Sequence, residues 1–131
     1  MTWQNAALGL AGFIGIGVAV IHGVLVHRLM VKPLKALFLV DDRLQPPLRR
    51  LTAPLLQFST FNWFIGGLAL IAAANGSEPD VRLATGLLVG SSYLFGAVCN
   101  LWSTRRPHPG WILYALALVL IGLGLSVGAI E

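Results

Sequence analysis

His22, Gln57, Asn62 and Asn100 are the side chains of this sequence best equipped to bind or move something. Each falls inside a long apolar stretch, where an unpaired polar group carries a penalty of several kcal/mol. His22 could relay a proton, contact a ligand or hold a haem iron; the plainest role is a neutral imidazole bonded across helices. Gln57 and Asn62 belong to the run Gln57-Phe58-Ser59-Thr60-Phe61-Asn62-Trp63, with Ser59 on the Asn62 stripe. Buried amides act first as interhelical glue. Thr85, Ser92, Gly96 and Cys99 form a further small and polar stripe beside Tyr93, ending next to Asn100. His22, Gln57, Ser59, Asn62, Ser92, Tyr93 and Asn100 are therefore the ligand or pathway candidates. His22 and Asn62 are expected to line one common void.

Arg49, Arg50, Arg105, Arg106 and His108 are the candidates for a phosphate or lipid headgroup, since guanidinium matches phosphate geometry. No catalytic residue is assigned, because no nucleophile–base pair is specified. The five acidic residues sit in loops or at the C-terminus, so no carboxylate serves proton relay inside the apolar stretches. No metal site is assigned. His27 lies about 140° round the helix from His22, so the two cannot share one metal, and His108 falls in a turn. A haem held by two histidines of one chain is disfavoured, and no cofactor is expected beyond that minor role for His22. The lone Cys99 excludes an intrachain disulfide and a cysteine zinc site.

The elements that must position these residues follow from hydropathy and charge. The chain has 131 residues, 56% hydrophobic and 11% charged, against about 25% charged in soluble domains. Four apolar stretches predict transmembrane helices over about 6–29, 52–74, 81–102 and 111–130. Pro33 and the apolar residues after it predict a short interfacial helix over about 33–42, stopped by Asp41, Asp42 and Pro46-Pro47. Pro54 would then sit in a first helical turn. The expected fold is an all-α integral membrane protein, one domain over 1–131, built as a four-transmembrane-helix bundle.

Of nine Lys/Arg residues, Arg28, Lys32, Lys35, Arg43, Arg49 and Arg50 follow the first stretch, and Arg105 and Arg106 follow the third. Positive charge stays cytoplasmic during insertion, so both termini are expected outside and both basic connections inside. Only Arg82 departs from the pattern. The expected location is a bacterial inner membrane. The N-terminus lacks a positive n-region, so no cleaved signal peptide is expected. A pI near 10 could suggest nucleic acid, but the basic residues fall where topology demands them. Anionic headgroups are the expected partner instead.

Ala11, Gly15, Ala19 and Gly23 recur every four residues, as do Gly86 and Gly90, and Gly124 and Gly128. Such ridges let helix backbones approach closely in lipid, within one chain or between copies.

Phe58-Ser59-Thr60-Phe61 resembles the Phe-Ser-Thr-Phe element of the small four-helix fluoride channels, which are of similar length. That resemblance implies a broken helix with phenylalanines along an ion path. The chain departs from the family: the element falls on the second helix rather than the third. Its first helix has no Gly-rich opening followed by an Arg, and its charge bias is strong. Three function classes therefore remain. The first is a non-enzymatic membrane protein that self-associates or serves a larger complex. The second is a small oligomeric channel or carrier for an anion or neutral solute. The third is a lipid- or quinone-binding protein or enzyme with a polar pocket on the cytoplasmic side.

Overall fold

The computed structural model of the chain describes residues 2–40, 43 and 45–126. These form α1 (Trp3–Val26), α2 (Lys32–Phe38), α3 (Pro46–Ala74), α4 (Pro79–Thr104) and α5 (Pro109–Leu125), with no strand among the described residues. A π-helical turn, His27–Val31, joins α1 to α2, and Trp3–Phe38 runs as one helix of 36 residues. Four continuous helices result. Three are long and apolar enough to cross a bilayer, with mean hydropathies of 2.2, 1.4 and 1.4; α5 is apolar but shorter.

Residues 32–38 thus extend the first helix rather than forming the separate short helix expected at about 33–42. The wider turn stands directly before Pro33, whose ring would crowd the carbonyl one α-turn back. The Asp41-Asp42 stop lies outside the described residues, as do the end of the fourth stretch after Ser126 and Gly128 of its ridge. Pro46 and Pro47 open α3 instead of merely closing what precedes them, as suits residues without a free N–H. In consequence Pro54 sits two turns inside α3, not in its first turn. Arg49 Nη1 reaches back to the Phe38 carbonyl at 2.6 Å and caps the extension of the first helix.

The remaining ends follow local chemistry. Thr2 accepts from the Asn5 N–H at 3.3 Å, a side-chain N-cap. Gly76, at φ +116°, turns the chain after α3, in a conformation that favours glycine. Pro79 and Pro109 begin α4 and α5.

The helices close a ring in which α1 packs on α3 and α5, and α4 packs on the same two. Every neighbour is antiparallel. Gly23 meets Gln57 and Thr60 while Gly12 meets Gly67 and Ile71; Gly86 meets Leu125 while Gly96 meets Tyr114. Gln4 bonds the Ser126 carbonyl at 2.8 Å, and Asn62 bonds Ser92 at 2.6 Å. Both basic connections consequently lie at one end of the bundle, hereafter the basic end. Leu8, Leu70, Tyr93 and Tyr114 are fully buried, whereas Phe13, Phe58 and Leu88 are 65%, 66% and 74% exposed. Large apolar side chains cover the outside, the arrangement that suits hydrocarbon surroundings.

A candidate ligand cavity at the basic end

The bundle interior is organised by aromatic rings, one from each long helix. His22 of α1 lies 4.7 Å from Trp63 of α3, centroid to centroid. Trp63 lies 5.0 Å from Tyr114 of α5, edge to face, and Tyr114 lies 4.9 Å from Tyr93 of α4. Such pairs contribute about 0.5–1.5 kcal/mol each beyond area burial. Glycine makes the room: a Cβ on Gly15 would collide with the Tyr93 hydroxyl, and one on Gly96 would come 2.7 Å from Trp63. Tyr93 Oη donates to the Trp63 carbonyl at 3.4 Å. The Tyr114 hydroxyl and the Thr60 hydroxyl are buried without a partner among the described residues.

At the His22 end of this column the α1–α5 seam opens into a cavity of about 490 Å³. Val18, Leu25, Leu29, Met30 and Leu113 supply apolar wall, and His22, Asn100 and His108 supply the hydrogen-bonding groups. Leu29 and Met30 come from the π-helical turn, a local widening often found beside functional sites. Asn100 Nδ2 donates to the Gly96 carbonyl at 2.8 Å, which leaves its Oδ1 as an acceptor. His108 is the N-cap of α5, its Nδ1 accepting from the Gly110 N–H at 3.1 Å. In a neutral imidazole this places the proton on Nε2, so His108 offers a donor. Among the described residues, no Lys, Arg, Asp or Glu lines the cavity. The site can hold an uncharged polar group and an apolar body.

The structure brings only part of the expected set together. Asn100 and His108 share the cavity with His22, but Asn62 does not. Residue 63 follows 62 by 100° on a helix, and Trp63 takes the inward position beside His22. Asn62 instead faces outward into a separate groove of about 380 Å³ between α3 and α4, bonded to Ser92 at 2.6 Å. Gln57 donates to the Gly23 carbonyl at 3.0 Å and joins α3 to α1. Ser59 is half-buried on α3 and lines neither space. Tyr93 belongs to the aromatic core. Gly15, Gly23 and Gly86 all pack within the chain, against Tyr93, Thr60 and Leu125; Gly90 packs more loosely on α5, and Ala11 and Ala19 are fully buried.

Phe58 and Phe61 point outward and α3 runs unbroken through them, unlike the channel element they resemble. Arg49 and Arg50 flank a shallow depression with Lys35 at the basic end. Arg105 adopts a left-handed backbone, φ 48°, at the end of α4, and the Arg106 carbonyl accepts from Trp111 Nε1 at 3.0 Å. Among the described residues no group of three or more His, Cys, Asp or Glu could hold a metal ion.

Searches against family models, curated proteins and solved structures return no match. Function is therefore argued from geometry. Trp63 and Tyr114 escape sequence reading because an aromatic at helical spacing reads as core. Arg82 escapes it too: its guanidinium bonds Asn5 Oδ1 at 2.6 Å and the Gly124 carbonyl at 3.2 Å, tying three helix ends together.

Proposed function

We propose that the chain is a four-span bacterial inner-membrane protein that binds an uncharged amphipathic molecule in its basic-end cavity, without catalysis. In this reading both termini face outward and the basic end faces the cytoplasm, as charge retention during insertion favours. The fourth span is α5, whose 17 residues cover roughly 25 Å at 1.5 Å per residue. The observation that carries the reading is the cavity: apolar walls, the hydrogen-bonding side chains of His22, Asn100 and His108, and no Lys, Arg, Asp or Glu among the described residues that line it. A phosphate or ammonium head would be desolvated there without a counter-charge. A carbonyl or hydroxyl head, as in a quinone or a neutral lipid, can take a hydrogen from His108 Nε2 or give one to Asn100 Oδ1. Its hydrocarbon part would leave past Ile21, Leu25 and Leu29, which are 60%, 44% and 69% exposed. A single-protomer channel gains no support, since fully buried Leu8, Leu70, Tyr93 and Tyr114 fill the interior.

The test is native mass spectrometry of the protein purified in mild detergent, with organic extraction of what travels with it. The expected result is a neutral, extractable molecule retained by the natural chain and lost from His22→Leu. Retention of only charged phospholipid, unaffected by His22→Leu, would overturn the reading. A second reading is favoured by one observation, that His22 and His108 line the same cavity. Two such imidazoles could ligate a haem if the His108 proton moved from Nε2 to Nδ1, breaking the bond from the Gly110 N–H, and a Soret band in the same preparation would select this reading.

A further inference from the structure

We infer that the outer groove between α3 and α4 is the interface of a two-fold symmetric homodimer, built around Asn62 and Ser92. The inference rests on the membrane placement proposed above and not on the ligand. Asn62 and Ser92 fall near the middle of α3 and α4, and Asn62 is exposed on the outside of the bundle. Asn62 Nδ2 donates to Ser92 Oγ at 2.6 Å. The carbonyl oxygen of Asn62 and the hydroxyl hydrogen of Ser92 make no bond among the described residues. In hydrocarbon each of those groups carries a desolvation penalty that a partner removes.

The other exposed polar residues in the central part of the bundle share this side: Ser91 and Cys99 on α4. The middle of α5 offers no polar side chain, and the central part of α1 offers only His22, which is turned to its cavity. The glycines at the tight helix contacts are already used within the chain, and of the open ones, Gly9 and Gly17 are separated on α1 by the exposed Phe13 while Gly122 stands beside the exposed Val119 and Leu123 on α5.

A second copy is the occupant this groove fits. A carboxamide carries both a donor and an acceptor, so two Asn62 side chains related by a two-fold axis can bond reciprocally. Both copies insert with the same orientation, which requires that axis to lie along the membrane normal. Like residues then meet at like depth. Gly66 and Ala69 keep the groove floor low, and Ile65, Leu88 and Phe95 flank it for apolar packing.

The native Cys99 reports on this arrangement, lying two helical turns from Ser92 on the same face of α4. The experiment reconstitutes the full chain in lipid vesicles, treats it with a short bismaleimide, and measures dimer mass in nanodiscs by native mass spectrometry. The natural chain should cross-link through Cys99 as a dimer. Asn62→Leu should stay folded, because it removes an outward-facing group, and should raise the dimer dissociation constant roughly tenfold or more. Ser92→Ala should weaken the dimer less and serves if Asn62→Leu accumulates poorly. A Cys99→Ser chain carrying Leu116→Cys on α5 should not cross-link. A monomer at every protein-to-lipid ratio, a dimer indifferent to both substitutions, or preferential cross-linking through Leu116→Cys would each overturn the inference. Resistance to alkaline extraction, measured on the same membranes, tests the membrane placement separately.

Discussion

Gly12→Ala should destabilise the protein more than any other single methyl group added to a glycine on α1, except at Gly15. A Cβ at position 12 would stand 2.5 Å from the Gly67 carbonyl oxygen and 2.7 Å from Ile71 Cγ1. A Cβ at position 67 meets the reciprocal obstacle, the Gly12 carbonyl at 2.6 Å and Ile16 Cγ1 at 2.7 Å. The first obstacle in each case is backbone, which cannot rotate aside. Restoring normal contact needs the two helices to part by roughly 1 Å at the crossing. Overpacking of this kind costs about 1–3 kcal/mol, and the better helix propensity of alanine returns about 0.5–1 kcal/mol. The net loss is about 0–2.5 kcal/mol, toward the upper part of that range because the obstacle is backbone on both sides.

Gly17→Ala is the control, since nothing lies within 4 Å of its Cβ; it should be neutral or gain up to about 1 kcal/mol. Reversible unfolding in mixed micelles reads both. The double variant Gly12→Ala with Gly67→Ala should cost clearly less than the two single changes added, because the first already separates the helices. Gly12→Ala as stable as Gly17→Ala, or strict additivity in the double variant, would refute a backbone-on-backbone crossing at this point.

Three further outcomes are expected. Arg82→Gln should loosen the end opposite the basic loops by about 1.5 kcal/mol, the low range for hydrogen bonds to a charged donor, read as faster amide exchange at residues 3–8 and 122–125. Unchanged exchange there would remove its bracing role. Tyr114→Phe should be neutral or stabilising by up to about 1 kcal/mol, because the hydroxyl it deletes is buried and unpartnered; a clear loss of melting temperature would reveal a partner. Reporter fusions at residue 131 should be active outside the cytoplasm, and activity inside would reverse the proposed orientation.

The sequence made the helical class and the clustering of basic residues legible, because hydropathy and charge are additive along the chain. That His22 lies inside the first apolar stretch is legible from hydropathy. What it faces is not. His108 reaches the same cavity only because α4 and α5 are antiparallel neighbours and the turn folds back as the N-cap of α5. That is a tertiary fact with no periodic signal. A common void for Asn62 and His22 fails on rotation about the helix axis: one helical step separates the outward Asn62 from the inward Trp63. Arg82 broke the charge rule until its acceptors were known. Its role is set by the carbonyls at the end of α5 rather than by topology. Pro33 has the signature of a helix start, but a π-helical turn before it lets the first helix continue to Phe38.

Packing along α1 explains why the cavity lies where it does. Toward the end away from the basic connections, Gly124 lets α5 press onto Leu8, so closely that a Cβ there would come 2.5 Å from Leu8 Cγ. Gly12 performs the same service against α3. Toward the basic end the first helix borders the opening with His22, Leu25 and Leu29, and a Cβ on Gly110 opposite would have His108 and Asn100 as its nearest neighbours. Large side chains on one helix, with no glycine seat for them on the other, leave the two helices without a tight seam. The α1–α5 seam is therefore closed at one end and open at the other. The open end is also the one that carries the π-helical turn and the polar trio. A cavity made in this way follows from the side chains of its walls, and because His22 and Trp63 border it, whatever enters it meets the aromatic column at its edge.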